Sequence, residues 1–138
     1  MIVIVDYGMG NLRSVQKSFN AINVDAVISN DPLSLEDATK IILPGVGNFK
    51  KGMSNLIHKG WINPLNKAVI EKNIPILGIC LGMQLLTNFS QEGNCSGLGW
   101  IDLETVSFDI HDSFKIPHVG WNTLNNNKDS LLLTNITT

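Results

Sequence analysis

The sequence predicts an α/β fold: a doubly wound, mostly parallel sheet with flanking helices. Two observations carry it. Short apolar runs alternate with segments whose apolar residues recur at helical spacing, the pattern of βαβ units. Three of those runs also end in glycine-rich loops, Tyr7 to Asn11, Pro44 to Asn48 and Gly78 to Gly82. A doubly wound sheet gathers such loops at the carboxyl ends of its strands, where ligands bind.

Met1 to Asp6 reads as a short buried strand, and Gly8 with Gly10 as a turn. Leu12, Val15, Phe19 and Ile22 then fall on one stripe of a helix, with Asn11 as its N-cap. Val24 to Ser29 is a second strand. Ser34 caps a short helical turn that carries Glu36 and Asp37 near its N-terminus, where the dipole favours them. Lys40 to Leu43 is a third strand, stopped by Pro44-Gly45. Phe49 to Lys59 and Ile62 to Asn73 are helical, separated at Gly60. Ile74 to Ile79 is a fourth strand, followed by a turn at Cys80 and a helix whose Leu81, Leu85, Leu86 and Phe89 share one face. Ser90 to Gly99 is a polar loop. Trp100 to Phe108 and Phe114 to Leu124 lean towards strand or extended structure, and the tail from Asn125 is polar apart from Leu131 to Leu133. No repeat or linker interrupts the chain, so one domain is expected over residues 1–138.

Composition narrows the function. A chain with 43% hydrophobic and 16% charged residues folds around a core. A formal net charge of -2 gives no electrostatic reason to bind nucleic acid or an anionic membrane. No apolar run approaches a membrane span, and "MIVIVDYG" reads as a buried strand rather than a signal peptide. The two cysteines, Cys80 and Cys95, form no CxxC and stand near no histidine cluster, so neither a metal site nor a disulfide framework is expected, and no cofactor is implied. The working expectation is a soluble cytoplasmic protein.

The loops carry the chemistry. In Gly78-Ile79-Cys80-Leu81-Gly82, a cysteine sits between two glycines at a strand-to-helix junction. This is the cysteine counterpart of the G-x-S-x-G nucleophile elbow. The helix beginning near Leu81 places its positive end by the sulfur, and the Leu81 amide is free to stabilise an oxyanion. A free cysteine is also commonly a small buried hydrophobe, and the pentapeptide alone is compatible with both roles. In "LPGVGNF", amides around Val46 and Gly47 are placed for a second oxyanion donor, while a plain Pro-Gly strand terminator explains the loop as well. "DYGMGNLRS" lacks the third glycine of a G-x-G-x-x-G phosphate cradle, with Arg13 in its place, so a tight turn capped by Asn11 is the preferred reading.

Taken together, "DYGMGNLRS", "LPGVGNF", "GICLGMQLL", "GLGWI" and "IPHVGWN" resemble, in order and spacing, the class I glutamine amidotransferases, whose fold is flavodoxin-like. The match is nearest to the glutaminase subunits of imidazole glycerol phosphate synthase and extends over essentially the whole chain. The resemblance implies that Cys80 attacks the carboxamide of the substrate glutamine, that amides at Val46, Gly47 and Leu81 hold the oxyanion, and that Gln84 contacts the substrate. It implies a protein partner, a (β/α)₈ cyclase or synthase subunit that receives ammonia in histidine biosynthesis, with Asn11, His118 and Trp121 at the interface. For Gln84 an exposed helix position, and for Trp121 core packing, stand beside those roles. Two further readings stay open: a paralogue supplying ammonia for amidino-sugar and surface-polysaccharide synthesis, and a non-catalytic partner-binding domain.

In this family the base is a histidine on a later strand end, followed two residues on by an acidic partner. The three histidines here are His58, His111 and His118, and no His-x-Glu or His-x-Asp follows Cys80. The chain is therefore expected to be a C-terminally incomplete amidotransferase domain. A degenerate homologue, or His118 acting in a rearranged site, are the alternatives. Incompleteness further predicts an exposed apolar sheet edge.

Overall fold

The computed structural model describes residues 1–109, 119–123 and 131–133. The chain divides into two compact units, Met1–Ser107 and Phe108–Thr138.

In the first unit, β1 (Ile2–Val5), β2 (Ala26–Ser29), β3 (Lys40–Gly45) and β4 (Ile76–Cys80) form one sheet in the order β2-β1-β3-β4. All its pairings are parallel. From β1 the chain moves outward to β2 on one side and to β3 on the other. The winding direction thus reverses at the β1/β3 boundary, where a doubly wound sheet opens a crevice.

Strand alternation sorts the two faces. Val3, Val5, Ile41 and Leu43 point to the side covered by α2 (Phe49–His58) and α3 (Ile62–Asn66), packing with Phe49, Leu56, Trp61 and Leu65. Ile4, Ala26 and Ile42 point to the other side and meet Leu12, Val15 and Phe19 of α1 (Leu12–Ala21), the stripe read from the sequence. Each fully buried aliphatic or aromatic side chain among these stabilises the fold by about 1.5–3 kcal/mol. β4 is an edge of this sheet, with Leu77 and Ile79 each 38% exposed.

Several local expectations change. The turn after β2 is a 3₁₀ turn, Pro32–Asp37, capped by Asp31 rather than Ser34. The Asp31 carboxylate accepts from the Leu33 amide at 3.0 Å, and Ser34 donates its hydroxyl to the Asp31 carbonyl at 2.7 Å. Pro32 favours that start because a first-turn proline has no amide to satisfy. Glu36 and Asp37 consequently lie at the end of the turn. Pro44 and Gly45 do not stop β3; they pair with Ile79 and Cys80 as its last two residues. The second predicted helix widens after Asn66 into a π turn, Lys67–Glu71, and ends before Asn73, which has φ 55°.

The largest difference follows Cys80. The helix α4 is one turn long, Leu81–Gln84, and Phe89 lies in a strand, β5 (Thr87–Ser90). The carbonyls that would continue the helix are taken from outside it. Leu85 accepts from Leu98 at 2.8 Å, and Leu86 accepts from Trp100 at 2.9 Å and Ile101 at 3.1 Å. β5 joins a three-stranded sheet with β6 (Cys95–Ser96), antiparallel, and β7 (Ile101–Thr105), parallel. The extended segment predicted from Trp100 thus contains β7, and the predicted polar loop contains β6. In the second unit the described residues are Phe108, Asp109 and Val119 to Thr123, which are irregular, and one 3₁₀ turn, Leu131–Leu133.

Candidate active site

The three glycine-rich loops leave β1, β3 and β4, which are neighbours, and they meet backbone to backbone at one end of the sheet. Gly10 packs on Gly45, whose Cα lies 3.3 Å from where a Cβ at position 10 would stand. Gly47, at φ 118°, faces the Met9 side chain. Gly45 lies against the Tyr7 hydroxyl, Leu81 and Gly82. A side chain at Gly10 or Gly45 would crowd the adjoining backbone, whereas at Gly47 only the movable end of Met9 is in the way; the two positive-φ sites, Gly10 and Gly47, add backbone strain for any other residue.

Cys80 occupies the junction of β4 and α4 with φ 54° and ψ -117°. This is an uncommon backbone state for a residue with a Cβ and costs on the order of 1–3 kcal/mol. The surroundings hold it there. A Cβ on Gly78 would stand 2.6 Å from the Met83 Cα, and a Cβ on Gly82 would overlap the Leu43 carbonyl oxygen. The glycines two before and two after the cysteine let α4 fold back onto both β4 and β3. Cys80 is exposed, which removes the buried-hydrophobe reading, whereas Leu81 beside it is 1% exposed and anchors the turn in the core.

Of the expected oxyanion donors, Leu81 supplies the first amide of α4, where a helix has no internal acceptor for its N–H groups. Because α4 is one turn long, the sulfur meets the local amides of that turn and not the dipole of a long helix. Val46 is exposed and Gly47 follows it in the loop between β3 and α2. Asn48 then caps α2 by accepting from the Lys51 amide at 3.1 Å. Gln84 is the last residue of α4, half-buried, with its carbonyl accepting from the Thr87 hydroxyl at 2.8 Å.

Asn11 is the N-cap of α1, accepting from the Ser14 amide at 3.3 Å, and is exposed. Trp121 is fully exposed within the second unit, and His118 and His111 lie outside the described residues. His58 is the one histidine among the described residues. It sits in the last turn of α2, about 14 Å along the axis from Phe49, and its Nδ1 donates to the Ser54 carbonyl at 2.6 Å.

Two residues at this end of the sheet escaped the sequence reading. Glu92, from the loop after β5, accepts from the Phe49 amide at 2.7 Å and fastens the start of α2. No local signal announces a contact across that many residues. Tyr7 is fully buried, and its hydroxyl has no hydrogen-bond partner among the described residues. Burial, and to a lesser degree the neighbouring charge of Cys80, push its ionisation well above the ordinary tyrosine value. Here a signal existed: Val3, Val5 and Tyr7 alternate, which aims the tyrosine at the same face as the two valines.

The family model described as glutamine amidotransferase class-I matches residues 3–137. Subunit HisH 2 of imidazole glycerol phosphate synthase from Methanococcus maripaludis is 55% identical over 122 residues, covering 88% of this chain and 60% of that protein. Subunit HisH 1 from Campylobacter jejuni (strain 81-176) is 48% identical over 125 residues, covering 90% of this chain and 62% of that protein. The chain thus spans about three fifths of the length of these relatives. A crystal structure of a glutamine amidotransferase superposes with a TM-score of 0.66 at 18% identity, covering 77% of this chain and 56% of that one, and shows the shared fold.

Proposed function

Because the chain belongs to the class I glutamine amidotransferase family, we propose that it carries the nucleophile and oxyanion loops of a glutaminase, the subunit that supplies ammonia to imidazole glycerol phosphate synthase. The observation that carries this reading is the exposed Cys80, held at positive φ between two glycines that have no room for a side chain.

The chemistry follows from the site. Thiolate Cys80 attacks the carboxamide carbon of glutamine, forming a C–S bond, and the amides of Leu81 and of the Val46–Gly47 loop receive the oxyanion. The C–N bond breaks, ammonia leaves with the proton it needs, and water hydrolyses the thioester to glutamate. Gln84, one turn beyond the nucleophile, orients the substrate. The proton transfers require a base, and His58, tied to Ser54, does not serve as one.

Ammonia passes to a (β/α)₈ synthase partner in histidine biosynthesis. Asn11 in the first unit, and separately His118 and Trp121, are the residues that meet the partner, a reading supported by the subunit names of the relatives. The setting is cytoplasmic; among the described residues, no helix is long and apolar enough to cross a membrane. Mixing the chain with a (β/α)₈ synthase subunit tests the partnership. A heterodimer in analytical ultracentrifugation, weakened by Trp121→Ala, is expected; no association at any attainable concentration contradicts it.

A further inference from the structure

We propose that Glu92 is a positioning residue for the oxyanion loop: its carboxylate holds the Phe49 amide and thereby fixes the course of Val46, Gly47 and Asn48 next to the Cys80 elbow. The inference rests on the glutaminase reading, since the loop has donors to position only if Cys80 attacks a carbonyl carbon.

The loop is pinned at both ends. At one end, Gly45 is the register partner of Cys80 in the β3/β4 pair. At the other, the Phe49 amide donates to the Glu92 carboxylate at 2.7 Å, and the Phe49 side chain is fully buried. Val46, Gly47 and Asn48 lie between, and Gly47 has φ 118°. Glycine adopts many backbone conformations, so the loop's own sequence does not select where its amides point. The fixed ends select it. The bond to Glu92 sets the plane of the Asn48–Phe49 peptide, the next one after Gly47–Asn48.

Glu92 is itself held. Its amide donates to the Ser90 hydroxyl oxygen at 3.1 Å, and Ser90 is buried. Gln91 beside it is tied twice: its amide donates to the Thr105 carbonyl at 3.0 Å, and its side-chain oxygen accepts from the Ser107 amide at 2.9 Å. The hairpin from Ser90 to Gly97 meets the start of α2 at two more points. A Cβ on Gly93 would stand 2.6 Å from the Lys50 Cβ, and a Cβ on Gly97 would stand 3.2 Å from the Phe49 ring. The carboxylate therefore reaches Phe49 from a braced support.

Capping α2 does not require this bond. Asn48 already caps the helix through the Lys51 amide at 3.1 Å. First-turn amides are otherwise commonly satisfied by water. A carboxylate that arrives from 43 residues away makes a charge-assisted bond instead, roughly twice as strong as a neutral one. It falls on the helix amide that adjoins the loop.

The test compares two reagents at Cys80, on the full chain in a Cys95→Ser background. Iodoacetamide alkylates the thiolate by displacement at a saturated carbon and develops no oxyanion. p-Nitrophenyl acetate acylates it: sulfur adds to the carbonyl carbon, an oxyanion forms, and p-nitrophenolate leaves with the electrons of the C–O bond. In Glu92→Ala, acylation is expected to slow about tenfold with alkylation unchanged. Glu92→Gln, which keeps an acceptor oxygen, is expected to recover most of the rate. A thermal melt confirms the fold; should Glu92→Ala not melt cooperatively, Glu92→Asp, one methylene short of the Phe49 amide, takes its place. Equal slowing with both reagents, slowing with neither, or no recovery in Glu92→Gln overturns the role of Glu92. If the parent Cys80 reacts with both reagents no faster than in the urea-unfolded chain, the glutaminase reading fails and this inference with it.

Discussion

Gly82 sits so close to the Leu43 carbonyl oxygen that a Cβ at position 82 would overlap it. That contact seats the first turn of α4 on the end of β3 and fixes where Cys80 and the Leu81 amide face. Gly82→Ala should therefore destabilise the fold by about 1–3 kcal/mol, the range for forcing a methyl into a packed site. Urea unfolding measures it, and a change below a few tenths would show that α4 is not seated as described.

Cys80 is strained by its backbone and not by its side chain. Cys80→Gly removes the Cβ that makes φ 54° unfavourable, whereas Cys80→Ala keeps it. The glycine variant should be more stable than the alanine variant by about 1 kcal/mol, despite the greater freedom of glycine when unfolded. Equal stabilities in denaturant titrations would mean that the elbow is relaxed.

Glu92 fastens the start of α2 through the Phe49 amide. Glu92→Ala should cost about 1–2 kcal/mol and loosen the Val46–Gly47 loop, while Glu92→Gln, which keeps an acceptor oxygen, should cost less. Hydrogen exchange at the Phe49 amide reads this directly, with faster exchange expected in the alanine variant.

Tyr7 couples stability to alkaline pH. Its ionisation in the fold is raised above the ordinary value of 10.0, so the folded chain holds the proton more tightly than the unfolded chain does. Its contribution is complete below pH 10 and is lost as pH rises beyond that value. Thermal melts above pH 10 should fall less steeply for Tyr7→Phe than for the parent.

What the sequence revealed was local and periodic. The runs of β1, β2, β3 and β4 were visible because a parallel sheet covered on both faces needs near-continuous apolar strands, and the Leu12, Val15, Phe19 stripe of α1 because one helical face meets that sheet. Asn11 as a cap and the turn at Cys80 were visible for the same reason: their chemistry lies within a few residues. The failures were long-range. Leu81, Leu85, Leu86 and Phe89 suit one helical face, yet Leu98, Trp100 and Ile101 claim the carbonyls that a longer helix needs, and Phe89 goes to β5. The placement of the Tyr7 hydroxyl against Gly45 and the reach of Glu92 to Phe49 depend equally on packing that no window of sequence contains.

In the proposed function, Cys80 is the nucleophile that meets glutamine. Labelling the chain with 6-diazo-5-oxo-norleucine, followed by peptide mass mapping, tests it without requiring turnover. One adduct is expected, on Cys80, suppressed by excess glutamine, with Cys95 untouched. Equal labelling of both cysteines, or labelling of Cys80 that glutamine does not suppress, would contradict it.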